Sequence, residues 1–308
     1  MPRPFRFGVV SAETASGTAW TEFARRAEAL GYDTLLLPDH YLNPLTPTPA
    51  LMAAAAVTTT LRVGCTVFAN DFRHPALLAK EAATIDLLSG GRFEFGIGAG
   101  WLKDEYDQVG IPFESPGVRV ARMEEGLQVI KGLWGEDSFT FAGTYYTISG
   151  LAGTPKPVQR PHPPILVGGA GRRLLSWAAR EADIVGFVSR ARPEGGIDWS
   201  EGTEEALARK VGWVREAAGE RFNQLELALL FQGSAVTDRP HEAAAELAPE
   251  FGLTAEQVLA SSEFAFGSAD QIVEQLLALR ERHGISYLTV VQSQMEAFAP
   301  IVARLTGK

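Results

Sequence analysis

Two adjacent side chains in the stretch TLLLPDHYLNP, residues 34–44, could perform acid–base chemistry. Asp39 and His40 follow four residues whose bulky side chains predict a buried strand. Imidazole titrates near neutral pH, so His40 is a candidate proton donor or acceptor that a neighbouring carboxylate could orient. The structural alternative is that Asp39 caps the turn and that His40 is a hydrogen-bonded histidine at the strand end.

A glycine-rich turn is the second feature with chemical potential. The stretch GGAGRR, residues 168–173, follows a predicted strand and opens a predicted helix. Small residues leave backbone amides accessible, and a helix N-terminus beside two arginines favours a phosphate group. A plain tight turn is the alternative. The stretch GIGAGW, residues 96–101, is a poor dinucleotide fingerprint because tryptophan occupies its sixth position.

Composition excludes several classes of function. The net charge of −9 and the lack of a basic run argue against a nucleic-acid or membrane partner. The single cysteine, Cys65, excludes a disulfide framework and favours a reducing cytoplasm. None of the five histidines lies at metal-ligand spacing, so no metal is expected, and no serine-hydrolase elbow occurs.

The elements that must position these residues alternate between strands and helices along the whole chain. Eight strand–helix units with apolar strands predict an α/β fold, a (β/α)8 TIM barrel forming one domain over residues 1–308. A doubly wound open sheet is the second choice. Longer segments, including 135–163 and 232–267, predict insertions after strands 4, 6 and 7 that form lids or substrate walls.

A barrel of this kind carries its catalytic residues just after each strand. Glu13 follows the first predicted strand, and Asp39 and His40 follow the second. The other candidates are Thr66, Val67 and Asn70 at the end of the third strand, and Gly98, Gly100, Trp101 and Asp104 after the fourth. We therefore expect Asp39 and His40 at the rim of a pocket.

Four stretches resemble the bacterial-luciferase-like flavin-dependent oxidoreductases. They are PDH at 38–40, GCTVFANDFRHPALLAKEAATIDLLSGGRFEFGIGAGW at 64–101, RVARMEEGLQVIKGLW at 119–134 and PKPVQRPHPPILVGGAGRRLL at 155–175. The resemblance covers essentially the whole chain. It is closest to the branch that uses the deazaflavin coenzyme F-420, and FMN is the alternative cofactor.

The resemblance implies roles for the strand-end residues. Glu13, Asp39 and His40 would be catalytic, with His40 near the reactive carbon of the cofactor ring. The Thr66–Val67 peptide would be cis, at a bulge that supports the ring. Cofactor contacts would come from Asp39, Thr66, Val67, Asn70, Gly98, Gly100, Trp101 and Asp104, and the phosphate-bearing tail would bind Gly168, Gly169, Ala170 and Gly171.

The sequence and the resemblance together predict a cytoplasmic F-420-dependent oxidoreductase acting on a small or medium-sized organic substrate. An FMN-dependent monooxygenase is the first alternative, and a non-catalytic paralogue that binds flavin or deazaflavin is the second. An aromatic residue expected soon after Asp39 and His40 in the sugar-phosphate dehydrogenase of this branch is absent, which disfavours glucose 6-phosphate. We expect a small-molecule substrate as partner, and a homodimer.

Overall fold

The computed structural model describes residues 2–135, 137–192 and 196–308. Its strands are β1 (Arg6–Val10), β2 (Thr34–Leu37), β3 (Arg62–Cys65), β4 (Phe68–Ala69), β5 (Phe93–Gly98), β6 (Phe139–Ala142), β7 (Thr147–Leu151), β8 (Ile165–Gly169), β9 (Ile184–Phe187), β10 (Arg190–Ala191), β11 (Ile197–Asp198), β12 (Glu226–Leu230), β13 (Gly233–Val236), β14 (Phe264–Gly267) and β15 (Ile285–Val291).

The helices complete the alternation that the sequence predicts. They are α1 (Gly17–Ala29), α2 (Pro47–Ala55), α3 (Pro75–Leu88), α4 (Lys103–Val109), α5 (Pro116–Gly135), α6 (Arg172–Glu181), α7 (Glu204–Ala218), α8 (Pro240–Phe251), α9 (Ala255–Ala260), α10 (Ala269–His283) and α11 (Met295–Leu305). Short 3-10 helices cover Asn70–Phe72, Trp199–Glu201, Gly219–Gln224 and Gln292–Gln294.

The main sheet has the strand order β3-β2-β1-β15-β12-β9-β8-β5-β4, and β3 also pairs with β5. Because β3 and β4 are two pieces of one interrupted strand, this order closes eight parallel strands into a (β/α)8 barrel. The predicted fold class is confirmed, and the doubly wound open sheet is wrong. Strand β5 is buried along its whole length, as a parallel strand covered on both faces requires.

Additional elements follow the fourth, sixth and seventh barrel strands, as predicted. An antiparallel β6–β7 hairpin comes after α5, and a β10–β11 pair comes after β9. After β12, a parallel β13–β14 pair and helices α8 and α9 form a small core of their own around Ala244, Val258 and Phe264.

The chain forms two compact units. Unit 1 comprises Met1–Ser11, Arg26–Leu35 and Val167–Lys308, and unit 2 comprises Ala12–Arg25 and Leu36–Leu166. In unit 1 the ring of Phe298 packs against those of Phe7 and Phe231. In unit 2 the ring of Phe95 packs against those of Phe68 and Trp134. The single-domain assignment stays a prediction.

Local sequence signals explain where several helices begin and end. Ser268 and Gln271 form a reciprocal capping box at the start of α10, and Gly284 ends that helix with a positive φ of 77°. Pro75 occupies the first turn of α3, where the His74 side chain accepts the Ala76 amide. None of the helices within the described residues is long and apolar enough to cross a membrane.

Candidate active site

His40 is held by a buried carboxylate in unit 2. Its Nδ1 lies 2.7 Å from Oε2 of Glu105, a residue that is only 1% exposed. The other carboxylate oxygen accepts the backbone amide of Leu42 at 3.2 Å. Glu105 therefore fixes both the imidazole and the chain that follows it. Because a carboxylate accepts, Nδ1 carries a proton and Nε2 is the acceptor nitrogen of the neutral ring.

The short helix α4 determines which acidic residue reaches His40. The sequence and the resemblance predict that Asp104 contacts the cofactor and that Asp39 or Glu13 lies beside His40. In the structure Asp104 is exposed, whereas its neighbours Glu105 and Tyr106 are buried. The Tyr106 hydroxyl lies 3.2 Å from Oδ2 of Asp71, which anchors the helix to the residues after β4. A helix of seven residues is too short to show periodicity. The sequence signal that could have pointed to Glu105 is its position next to Asp104 in the GAGW…DEY stretch.

An apolar surface adjoins the imidazole. The ring of Trp101 lies 5.8 Å from that of His40, nearly perpendicular at 89°. Trp101 is 38% exposed, and the neighbouring Tyr41 and Leu42 are 50% and 56% exposed. Exposed large apolar side chains beside a polar group that can move a proton are typical of a binding site for an organic molecule.

Asp39 has a different partner from the one expected. It is buried and forms a two-point ion pair with the guanidinium of Arg73, and its Oδ2 also accepts the Ala69 amide at 3.0 Å. Asp39 therefore fixes the end of β4, while the contact to His40 belongs to Glu105.

Glu13 lies in the loop between β1 and α1 and is exposed. Within the part of the chain that the structure describes, His40 contacts Glu105 and Trp101, so the structure does not bring Glu13 to the imidazole.

The interrupted third barrel strand carries the predicted cis peptide between Thr66 and Val67. These two residues are partly exposed, whereas the strand residues on either side of them are buried. The Thr66 amide bonds the Leu37 carbonyl at 2.8 Å, which ties the bulge to the end of β2. The bulge thus presents its own atoms at the same strand end that carries His40.

Gly98 and Gly100, which the resemblance assigns to the cofactor, are also required by the side chains packed against them. A Cβ on Gly98 would lie 2.5 Å from a methyl of Val67, and a Cβ on Gly100 would overlap the Tyr106 hydroxyl. Gly100 also has a positive φ of 74°, which favours glycine. The structure thus requires both glycines for the bulge and for α4.

Asn70 is buried, and its Nδ2 donates to the Tyr146 hydroxyl at 3.0 Å. Its Oδ1 packs where a Cβ on Gly126 of α5 would be, and it has no hydrogen-bond partner among the described residues. These contacts connect the residues after β4 with the hairpin and α5.

Arg119 is a buried residue near this site that sequence reasoning missed. Its guanidinium stacks on the Phe113 ring at 3.9 Å and donates to the Gly100 carbonyl at 3.5 Å and to the Glu114 carbonyl. Burial lowers the pKa of this guanidinium. Arg119 stabilises the turn that leads to Trp101.

The glycine turn lies in unit 1, between β8 and α6. A Cβ on Gly168 would meet only the Gly186 carbonyl oxygen at 3.9 Å, and a Cβ on Gly171 would meet nothing within 4 Å. Gly169 differs, because its Cβ would lie 2.9 Å from Leu174. Gly171 is the N-cap of α6 and provides no side-chain cap, so the first-turn amides can donate hydrogen bonds to an anion. Ala170 lies within this turn.

A buried polar cluster in unit 1 follows β9. The Ser189 hydroxyl lies 2.9 and 3.0 Å from the carboxylate oxygens of Glu263, and Lys210 donates to the Val188 carbonyl at 2.8 Å. Burial raises the pKa of Glu263 and lowers the pKa of Lys210. The cluster joins the loop after β9 to α7 and β14.

The chain is similar in sequence to known monooxygenases. The profile of a family described as luciferase-like monooxygenase matches residues 4–282. An FMNH2-dependent dimethylsulfone monooxygenase from Pseudomonas putida is 33% identical over 190 residues, which cover 57% of this chain and 51% of that protein, so the match spans about half of this relative's length.

Two solved structures share the fold. An F-420-dependent secondary alcohol dehydrogenase superposes with a TM-score of 0.79 at 19% identity, covering 98% of this chain and 99% of that one. A coenzyme F-420-dependent tetrahydromethanopterin reductase from Methanopyrus kandleri superposes with a TM-score of 0.77 at 18% identity, covering 99% and 100%.

Proposed function

This chain belongs to the luciferase-like monooxygenase family, and we propose that within it the chain transfers a hydride between coenzyme F-420 and a small or medium-sized organic substrate. The observation that carries the proposal is the His40–Glu105 pair beside the exposed ring of Trp101. A histidine whose Nδ1 is hydrogen-bonded to a buried carboxylate and whose Nε2 can exchange a proton with a substrate is a typical general acid–base catalyst.

The chemistry that the deazaflavin supplies when bound is acceptance or donation of a hydride. His40 would move the accompanying proton. If the substrate is an alcohol, Nε2 accepts the hydroxyl proton as the hydride leaves carbon, and in the reverse direction the imidazolium protonates the carbonyl oxygen. Glu105 would hold the ring in place by accepting the hydrogen bond from Nδ1.

The residues at the bulge fit a flat ring system. Thr66 and Val67 offer partly exposed atoms on an otherwise buried strand, and Trp101, Tyr41 and Leu42 offer apolar surface for substrate. Asp39 would act as a positioning residue, because its carboxylate is engaged by Arg73 and Ala69.

The glycine turn fits a phosphate. A Cβ on Gly171 would enter open space, and one on Gly168 would meet only the Gly186 carbonyl oxygen at 3.9 Å; a phosphate would use this space to reach the amides of α6. Asn70, Gly98, Gly100 and Asp104 remain proposed cofactor contacts; for Gly98 and Gly100, packing is a competing explanation.

An FMN-dependent monooxygenase is the second candidate function. It is supported by the 33% identity to a monooxygenase whose name states FMNH2 dependence. Such an enzyme would consume oxygen, whereas a deazaflavin reacts poorly with oxygen. The cytoplasmic location, the absence of nucleic-acid and membrane partners, and the homodimer also stay predictions.

Titration of the purified chain with F-420 and with FMN, each oxidised and reduced, separates these candidates. We expect tight binding of F-420, seen in its absorption and fluorescence, and turnover in a screen of alcohols, ketones, enones and nitroaromatics. Tight FMN binding with oxygen consumption would favour the second candidate. Binding of F-420 without turnover of any substrate class would favour the non-catalytic paralogue.

A further inference from the structure

A groove of about 300 Å³ opens in unit 2. It is lined by the residues that directly follow β4, by Arg122 of α5 and by Tyr146 of the β6–β7 hairpin. Its lining contains two arginines, Arg73 and Arg122, together with His74 and a single carboxylate, Asp71. The lining has two guanidinium groups and one carboxylate, but Arg73 is already paired with the buried Asp39, so Arg122 is the arginine considered for a ligand. His40 does not line the groove, so the groove is separate from the imidazole.

The single carboxylate is already engaged. Nε and Nη2 of Arg122 donate to Asp71 at 2.8 and 2.9 Å, and Tyr106 adds a third contact. Arg122 has five N–H donors, and its Nη1 has no acceptor within residues 2–135, 137–192 and 196–308. Arg122 therefore keeps N–H donors that the Asp71 carboxylate does not use, while that carboxylate already accepts hydrogen bonds.

Two neutral side chains add donors to the same groove. The Tyr146 hydroxyl accepts from Asn70, which leaves its own proton without an acceptor in the described part of the chain. His74 Nδ1 accepts the Ala76 amide at 3.2 Å, so the proton of the neutral ring lies on Nε2 and can be donated. The two rings meet edge to face with centroids 5.6 Å apart.

We propose that this groove binds the carboxylate or phosphate group of a small ligand through Arg122, Tyr146 and His74. Oxyanions accept several hydrogen bonds at once and match a guanidinium particularly well. Ile111 and Pro112 also line the groove and offer apolar contact to the carbon part of an organic acid. The volume lies at the lower end of small-molecule sites. The proposal does not depend on the reaction at His40. Because Asn70, a proposed cofactor contact, also lines the groove, the titrations use the chain without added F-420 or FMN.

Calorimetric titration of the full chain with succinate and with inorganic phosphate tests this site. Both series are run at constant ionic strength in chloride buffer, so that non-specific charge effects cancel. Stronger binding of succinate identifies an organic acid as the ligand, and stronger binding of phosphate identifies a phosphorylated compound. Absence of binding by both anions at millimolar concentration would overturn the proposal.

Variants locate the binding within the groove. Tyr146→Phe removes only a hydroxyl, and His74→Asn keeps an acceptor for the Ala76 amide while removing the Nε2 donor. Each should weaken anion binding about tenfold, as expected for one hydrogen bond to a charged group. Tyr145→Phe is the matched control and should bind as the unaltered chain does. Thermal unfolding of each variant verifies folding, and unchanged affinity in both folded groove variants would contradict the site.

Discussion

At the scale of the residue, the proposed function requires that the contact between His40 and Glu105 support the acid–base chemistry. His40→Ala should lower turnover about 10²–10⁴-fold, the usual contribution of a general acid–base, and should change cofactor affinity far less. Glu105→Gln keeps the shape of the side chain but removes the charge that orients the imidazole. We expect a smaller fall in kcat, about 10–100-fold, as for other carboxylates that orient a histidine. Steady-state kinetics and a fluorescence titration of the cofactor separate the two effects.

Asp104 provides the control for Glu105. It is the preceding residue of α4, it is exposed, and Asp104→Asn makes the same chemical change as Glu105→Gln. If orientation of His40 is the role of the buried carboxylate, Asp104→Asn should retain nearly full kcat at saturating cofactor, because loss of its proposed cofactor contact would change cofactor affinity instead. Equal losses of kcat from both substitutions, or full activity of Glu105→Gln, would show that the hydrogen bond between Glu105 and His40 only shapes the strand end.

At the scale of the element, the glycine turn before α6 makes a graded prediction. A Cβ on Gly168 meets only one carbonyl oxygen at 3.9 Å, so we expect the barrel to tolerate it while it takes space proposed for the phosphate. Gly168→Ala and then Gly168→Val should weaken cofactor binding progressively, with about tenfold or more lost for valine. Thermal unfolding should change little because the strand accommodates valine.

Gly212→Ala, on the exposed side of α7, is the control for this series, because a Cβ there also meets nothing within 4 Å. Gly169 is a poor position for such a test, since a side chain there would collide with Leu174. Equal cofactor affinity across the Gly168 series would refute the phosphate assignment and leave a plain tight turn.

At the scale of the whole molecule, the sequence predicts the barrel well because each apolar strand and amphipathic helix carries its own periodic pattern. The cis Thr66–Val67 peptide followed from family resemblance and is confirmed. The partners of the site residues could not be predicted in this way. Asp39 meets Arg73 across 34 positions of sequence, and His40 meets Glu105 across 65. The sequence predicts Asp39 or Glu13 as the carboxylate for His40, and only the folded chain shows that Glu105 takes this place.

The stability of the whole molecule should depend on pH through Glu263. Burial raises its pKa in the folded chain, so the folded state binds more protons than the unfolded state between the ordinary glutamate pKa and the raised value. Stability is therefore lost as pH rises through that window. Glu263→Gln removes this titration. The unfolding free energy of the variant minus that of the unaltered chain should rise with pH, by at most about 1.4 kcal/mol per pH unit.

Lys210 faces the same cluster with a pKa that burial lowers, and it is present in both proteins of the comparison. Urea unfolding of Glu263→Gln and of the unaltered chain at several pH values between 4 and 8 therefore gives the Glu263 contribution as a difference, and the exposed Glu250→Gln is the matched acid-to-amide control. A flat or falling difference for Glu263→Gln would mean that the hydroxyl of Ser189 and the ammonium of Lys210 compensate fully for burial of the carboxylate. The loop after β9 would then be joined to β14 without a cost in stability near neutral pH.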